Sequence, residues 1–246
     1  MLVILSGEGS SDLGSCQNGQ GECGVPHFKH GPMALLVDKE IEKNHNYSLL
    51  DTCPDNYLFI AKAKLVELVS FKSTRSVAFR GKKQPHTERG FFFDNAWMLG
   101  LRALEYAKER QDDVIAILFR DCDGNNQRDL ELWHTKINSI REGFKRSGLG
   151  KRGIAMIPRP KSEAWMLCAI RNNYQQCSAL EDSLPGNDNA PNSAKEQLAA
   201  AMGNASSGQD QVDWITDHGL DVTALANEMH SYREFSLDIE CALNSL

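Results

Sequence analysis

Two short apolar runs, each unbroken and each ending in acids, constrain this chain more than any other feature of its 246 residues. Leu2-Val3-Ile4-Leu5 runs into Ser6-Gly7-Glu8-Gly9-Ser10-Ser11-Asp12, and Val114-Ile115-Ala116-Ile117-Leu118-Phe119 runs into Arg120-Asp121-Cys122-Asp123-Gly124. A strand that is apolar at consecutive positions leaves no face for water, so both read as parallel strands buried on both sides. In open α/β sheets ligands bind outside the carboxyl ends of such strands. Residues two apart in an extended segment point the same way, so Asp121 and Asp123 can offer both carboxylates to one point while Cys122 turns into the packing. Magnesium takes one or two carboxylates and completes its shell with water and phosphate oxygens. Glu8, Asp121 and Asp123 therefore read as ligands of Mg2+ or Mn2+ at a phosphoryl-transfer site.

Strands alternating with helices call for a mostly parallel sheet with crossover helices. Residues 10 to 32, glycine-rich and poor in apolar side chains, read as a long loop over the first strand's carboxyl end. A helix is expected from Pro32 through Ile41, a second strand at Tyr47–Leu50, and a helical face over Tyr57–Phe71. Asp94 resembles an N-cap for a helix from Asn95 to Glu109, and Asp129–Arg146 fits a helix with apolar residues three and four apart. A strand at Gly153–Pro158 and a helix from Ser162 to Arg171 follow, with Ser162 able to cap that helix and Glu163 in its first turn. Residues 183 to 192 form a loop, and three short helices around Ala194–Met202, Val222–His230 and Ser236–Leu243 close the chain. We expect an α/β domain over residues 1–180 and a helical extension over 181–246 packed on it.

Composition narrows the function. With 41% hydrophobic and 24% charged residues the chain has ordinary globular usage. A net charge of −6 argues against coating nucleic acid by bulk electrostatics, so such binding must rest on a local surface. The basic stretch from 72 to 90 holds Lys72, Arg75, Arg80, Lys82, Lys83 and Arg89 against the single acid Glu88, and can either hold a phosphate backbone or form a solvated loop. Arg159 and Lys161 can meet phosphate too. There is no run of eighteen apolar residues, and the first apolar stretch closes on Ser6-Gly7-Glu8, so neither a membrane span nor a secretory signal is expected and the cytoplasm is the expected location. Seven cysteines without a C-x-x-C pair are expected as reduced thiols, and Cys16, Cys23, His27 and His30 have looser spacing than a structural zinc site usually shows. No G-x-S-x-G elbow and no G-x4-G-K-[ST] phosphate loop is present.

A strand ending in Glu and a later one ending in D-x-D, within a mainly parallel sheet, resemble the TOPRIM fold of type IA topoisomerases, bacterial primases and overcoming-lysogenization-defect nucleases. G-E-G-x-x-D at 7–12, D-x-D-G at 121–124, S-E-A-W-x-L at 162–167 and Ser231-x-x-x-Phe235 together resemble small TOPRIM-like proteins encoded beside ABC-type ATPases, including the RloB-like group, in phage defence. The resemblance implies Glu8 as general acid/base or metal ligand, Asp121 and Asp123 as metal ligands, and a separate ATPase as partner. From the residues and the resemblance together, the expectation is a divalent-metal nuclease acting on DNA or RNA, with Glu163 completing the acidic cluster. The alternatives are a non-catalytic sensor or regulatory subunit of an ATPase complex, and a phosphohydrolase of small phosphate esters that uses the first aspartate as nucleophile.

Overall fold

The computed structural model describes residues 1–9, 11–73, 92–122, 130–204 and 206–246, with the side chains of 70–73 left aside. The first apolar run forms β1 (Leu2–Gly7), buried throughout. The glycine-rich segment expected as a loop carries three short strands instead, β2 (Gly14–Cys16), β3 (Glu22–Gly24) and β4 (Phe28–His30). They escape a periodicity reading because three residues are too few to show one. Helix α1 (Pro32–His45) follows, and the expected strand at Tyr47–Leu50 is the start of a one-turn helix, α2 (Leu49–Thr52), capped by the Ser48 hydroxyl at 3.0 Å from the Asp51 N–H. The strand lies further on: Tyr57–Ile60 forms β5, not the first turn of a helix, and all four of its residues are buried. A run of four aromatic or branched residues has both signatures, and here pairing on each side decides for the strand.

The rest of the α/β framework comprises α3 (Lys62–Ser73), α4 (Phe93–Arg110), β6 (Val114–Phe119), α5 (Leu130–Ser147), β7 (Gly153–Met156) and α6 (Ser162–Ile170). Asp94 sits in the first turn of α4, and Phe92 occupies the cap position. The main sheet runs β3-β5-β1-β6-β7; β5, β1, β6 and β7 are parallel, and β3 adds an antiparallel edge. Side-chain parity sorts the core. Leu2, Ile4, Ala116 and Leu118 pack with α4 and α5, whereas Val3, Leu5, Ile117 and Phe119 pack with α1, α6 and the C-terminal helices.

Five helices follow rather than three: α7 (Ser178–Ser183), α8 (Ala194–Ala201), α9 (Gly208–His218), α10 (Val222–Glu228) and α11 (His230–Leu243). Their apolar faces, including Leu198, Leu225 and Ile239, belong to the same hydrophobic cluster as Val3 and Leu5. The Ser231-x-x-x-Phe235 pattern has a packing explanation. Trp165 of α6 donates its indole N–H to Ser231 Oγ at 2.9 Å and lies 5.8 Å from the Phe235 ring.

Cysteine state departs from expectation. Cys16 pairs with Cys23 and Cys168 with Cys177 in disulfides, leaving Cys53, Cys122 and Cys241 free. The turn at residues 17–21 brings the Cα atoms of Cys16 and Cys23 to 5.7 Å, a proximity that spacing alone does not reveal. Among the described residues no helix is long and apolar enough to cross a membrane.

Candidate active site

The order of the parallel strands locates the site. From β1 the chain crosses through α1 to β5 on one side, then through α3 and α4 to β6 on the other. The crossovers lie on opposite faces, since α1 packs with Val3 and Leu5 and α4 with Leu2 and Ile4. They diverge around β1, opening a crevice beyond the carboxyl ends of β1 and β6, the switch point where open α/β sheets bind ligands. Glu8 follows one strand end, and Arg120 and Asp121 follow the other.

On one side of this crevice acids are gathered around a single serine. Asp121 Oδ1 accepts the backbone N–H of Ser162 at 3.0 Å, and the Ser162 hydroxyl donates to Asp12 Oδ1 at 3.0 Å. Ser162 is the first residue of α6 and does not cap it; Lys161 holds the cap position without a side-chain capping bond, and Asp121 supplies the negative charge at the helix N-terminus. Glu163 is buried beside them, and its Oε2 makes no hydrogen bond among the described residues. Burial pushes the Asp12 carboxyl above the usual carboxylate range, against the bond from Ser162. Burial raises the Glu163 carboxyl as well, against its own backbone N–H and the Lys161 charge, with the nearby Asp12 charge adding to the rise.

The other side is compensated. Arg120 Nη1 donates to Glu8 Oε2 at 2.6 Å, and Lys62 Nζ lies 3.5 Å from the same oxygen. Register explains the pairing. Gly7 stands opposite Phe119, so Glu8 and Arg120 continue one face of the sheet while Asp121 continues the other. The Arg120 side chain is 3% exposed and that of Glu8 33%, so the pair spans from the packed interior to the crevice.

The expected residues therefore divide. Asp121 and Glu163 come together, linked through Ser162 and Asp12, whereas Glu8 meets Arg120 and Lys62. Cys122 is buried, as the strand alternation requires. Asp123 and the basic residues Arg75, Arg80, Lys82, Lys83 and Arg89 lie outside the described residues, as does the side chain of Lys72. Arg159 and Lys161 are held by acids. Arg159 is 4% exposed and bonds Asp182 at 2.7 Å, and Lys161 is 7% exposed and bonds Asp188 at 2.6 Å, so neither is laid open to a phosphate backbone. Asp12 is the acid of the G-E-G-x-x-D motif to which the sequence assigns no role; its signal is its place four residues beyond Glu8 in the same strand-end motif.

Asp12, Asp121 and Glu163 form an oxygen-only donor set, suited to a hard divalent cation. Among the described residues no three acids, histidines or cysteines are grouped closely enough to chelate an ion by themselves. Magnesium asks less of a protein, taking one or two carboxylates and filling its shell from water and phosphate. The partnerless Glu163 Oε2 and the raised Asp12 and Glu163 carboxyls are groups that a cation would satisfy. Compared with protein-family models, with curated proteins and with solved structures, the chain matches none.

Proposed function

We propose that this chain is a divalent-metal-dependent nuclease of TOPRIM type that hydrolyses phosphodiester bonds at the β1/β6 crevice. The observation that carries the reading is the linkage of Asp12, Asp121 and the first turn of α6 through Ser162, with Glu163 buried beside it at the switch point of the sheet. One or two carboxylates of Asp12, Asp121 and Glu163 would hold Mg2+ or Mn2+, with water and phosphate oxygens filling the shell and Asp123 the further acid that the sequence motifs name, while Glu8 stands beside the ion. Such an ion supplies Lewis-acid polarisation of a phosphodiester and an activated water at neutral pH.

The chain's own residues supply position and protons. Ser162 fixes Asp12 and Asp121 relative to each other with one hydroxyl and one backbone N–H. Glu163, buried in the first turn of α6, is fixed beside Asp12. Glu8, turned by Arg120, can orient or deprotonate water. Antiphage defence beside an ABC-type ATPase, and a cytoplasmic setting, follow from the sequence resemblance.

One observation favours a second reading. The ion pair between Glu8 and Arg120 occupies the first acid of the motif, as suits a regulatory subunit whose acids serve structure. The two readings part in one experiment: the purified chain, with and without a candidate ATPase, is incubated with plasmid, linear DNA and tRNA in Mg2+ or Mn2+. Metal-dependent cleavage that Asp121→Asn abolishes supports the nuclease. Cleavage that persists in Asp121→Asn assigns the chemistry to another component.

A further inference from the structure

An open cavity of about 490 Å3 lies beside the crevice, outside the carboxyl ends of β1 and β5, within the size range of small-ligand sites. Gly9, Gly14, Cys16, Gly19, Phe59 and Lys62 are among the residues that line it. Glycines make up much of its wall. Gly14 has φ +121°, where a Cβ would run into the Lys29 carbonyl; Gly19 has φ +69°, and a Cβ there would meet nothing within 4 Å. The Cys16–Cys23 disulfide ties the glycine-rich wall to β3, which pairs with β5 behind it. Phe59 lines the cavity and stacks on Phe28 at 5.5 Å with an interplanar angle of 8°.

The cavity touches both sides of the crevice. Gly9 is part of its wall, and a Cβ on Gly9 would lie 3.3 Å from Asp12 Oδ2, so the acid cluster begins where the cavity ends. At another part of the rim Lys62 opens α3, a helix of 12 residues whose positive dipole end faces the same space. The Lys62 ion pair with Glu8 is 3.5 Å long and about a third exposed on each side, so its cation lies at the rim. We infer that this cavity receives one unstacked nucleobase of a single-stranded nucleic acid, with the adjoining phosphate at Lys62 and the next one at the acid cluster. The inference rests on the nuclease reading and sharpens it, because a base in a duplex cannot enter such a cavity without leaving its stack. A mainly apolar recess for a base beside a cationic rim for its phosphate is an arrangement that suits a single strand.

Binding measured in EDTA, where no metal-dependent cleavage occurs, tests it. The anisotropy of a short labelled single strand, DNA or RNA, is compared with that of the same sequence in a duplex, using the full chain. The single strand should bind about tenfold tighter or more, the worth of one base contact. Ala63→Trp, an exposed position on the cavity wall, should remove that advantage without lowering the melting temperature. On the wild-type chain a nucleoside monophosphate should displace the strand while inorganic phosphate at equal concentration does not, which needs no variant to fold. Equal affinity for strand and duplex, wild-type binding by Ala63→Trp, or equal competition by inorganic phosphate would each overturn the inference. A nucleoside monophosphate that binds where no single strand does would assign the cavity to free nucleotides and overturn it as well. Strand binding without cleavage in Mg2+ or Mn2+ sinks the nuclease and leaves the cavity, whereas undiminished cleavage of single strands by Ala63→Trp sinks the cavity and leaves the nuclease.

Discussion

The two sides of the crevice hold acids under opposite conditions. Glu8 is met by two cations, and a buried guanidinium fixes one of its oxygens. Asp12 and Glu163 sit close together and feel the charges of Lys161 and Lys195, yet are buried enough that ionising costs them more than it would in water. The difference teaches where a cation is wanted. A carboxylate already met by a buried arginine has less to gain from a metal than buried carboxyls whose burial outweighs the cations near them.

That contrast can be broken most directly at Asp121. Asp121→Asn should lower metal-dependent cleavage by more than about a hundredfold, the loss that even an outer-shell partner of a metal can cause, as single-turnover assays in Mn2+ would measure. Equal loss in Glu8→Gln would merge the two sides into one site.

Next in size is metal-linked stability. With metal at a hundred times its dissociation constant the wild type should gain about 2.7 kcal/mol, since only the folded site binds the ion. Asp12→Ala and Glu163→Gln should lose most of this gain and Glu8→Gln should keep it, as melting in Mg2+ against EDTA would report. A gain retained by Asp12→Ala would take that residue out of the metal set.

Without metal the ranking reverses. Glu8→Ala takes away the carboxylate that Arg120 meets at 2.6 Å and should cost about 1–3 kcal/mol in urea melts, reduced toward the lower end by the exposure of Glu8. Asp12→Asn, which removes an acid raised by burial, should leave stability unchanged or slightly higher at neutral pH.

The smallest effect is a slope with pH. A carboxyl whose folded pKa is raised binds its proton more readily folded than unfolded, so its stabilisation is present below the unfolded value and is lost as pH rises through the folded one. In EDTA the wild type should therefore lose stability between the ordinary carboxylate range and the raised values of Asp12 and Glu163, relative to an Asp12→Asn, Glu163→Gln double variant. Identical pH profiles would show that these acids are not strained.

How much of this could be read in advance varied with the physical signal. β1 and β6 were legible because unbroken apolar runs ending in acids have few other uses, and the parity that buries Cys122 followed from strand geometry. β5 was not, since four residues of aromatic and branched character fit the start of a helix until their neighbours are known. Asp12 was missed because its partner is Ser162, 150 residues away, and no local pattern encodes that hydrogen bond. The burial of Arg159 and Lys161 was hidden for the same reason: Asp182 and Asp188, which hold them, lie on segments whose docking depends on the whole core.

The central position of β1 carries a kinetic consequence. Leu2 pairs with Val114 and Val3 with Tyr57, so a strand from the beginning of the described chain finds neither neighbour nearby in sequence. Closing such separations must be paid in chain entropy before any contact rewards it, which slows folding. At roughly 5–20 residues per second the ribosome needs many seconds to deliver β6 after β1. During that interval an apolar strand, free on the edge that β6 will cover, is open to the wrong partner, and the nascent chain should depend on holding chaperones more than a hairpin-built protein of its size.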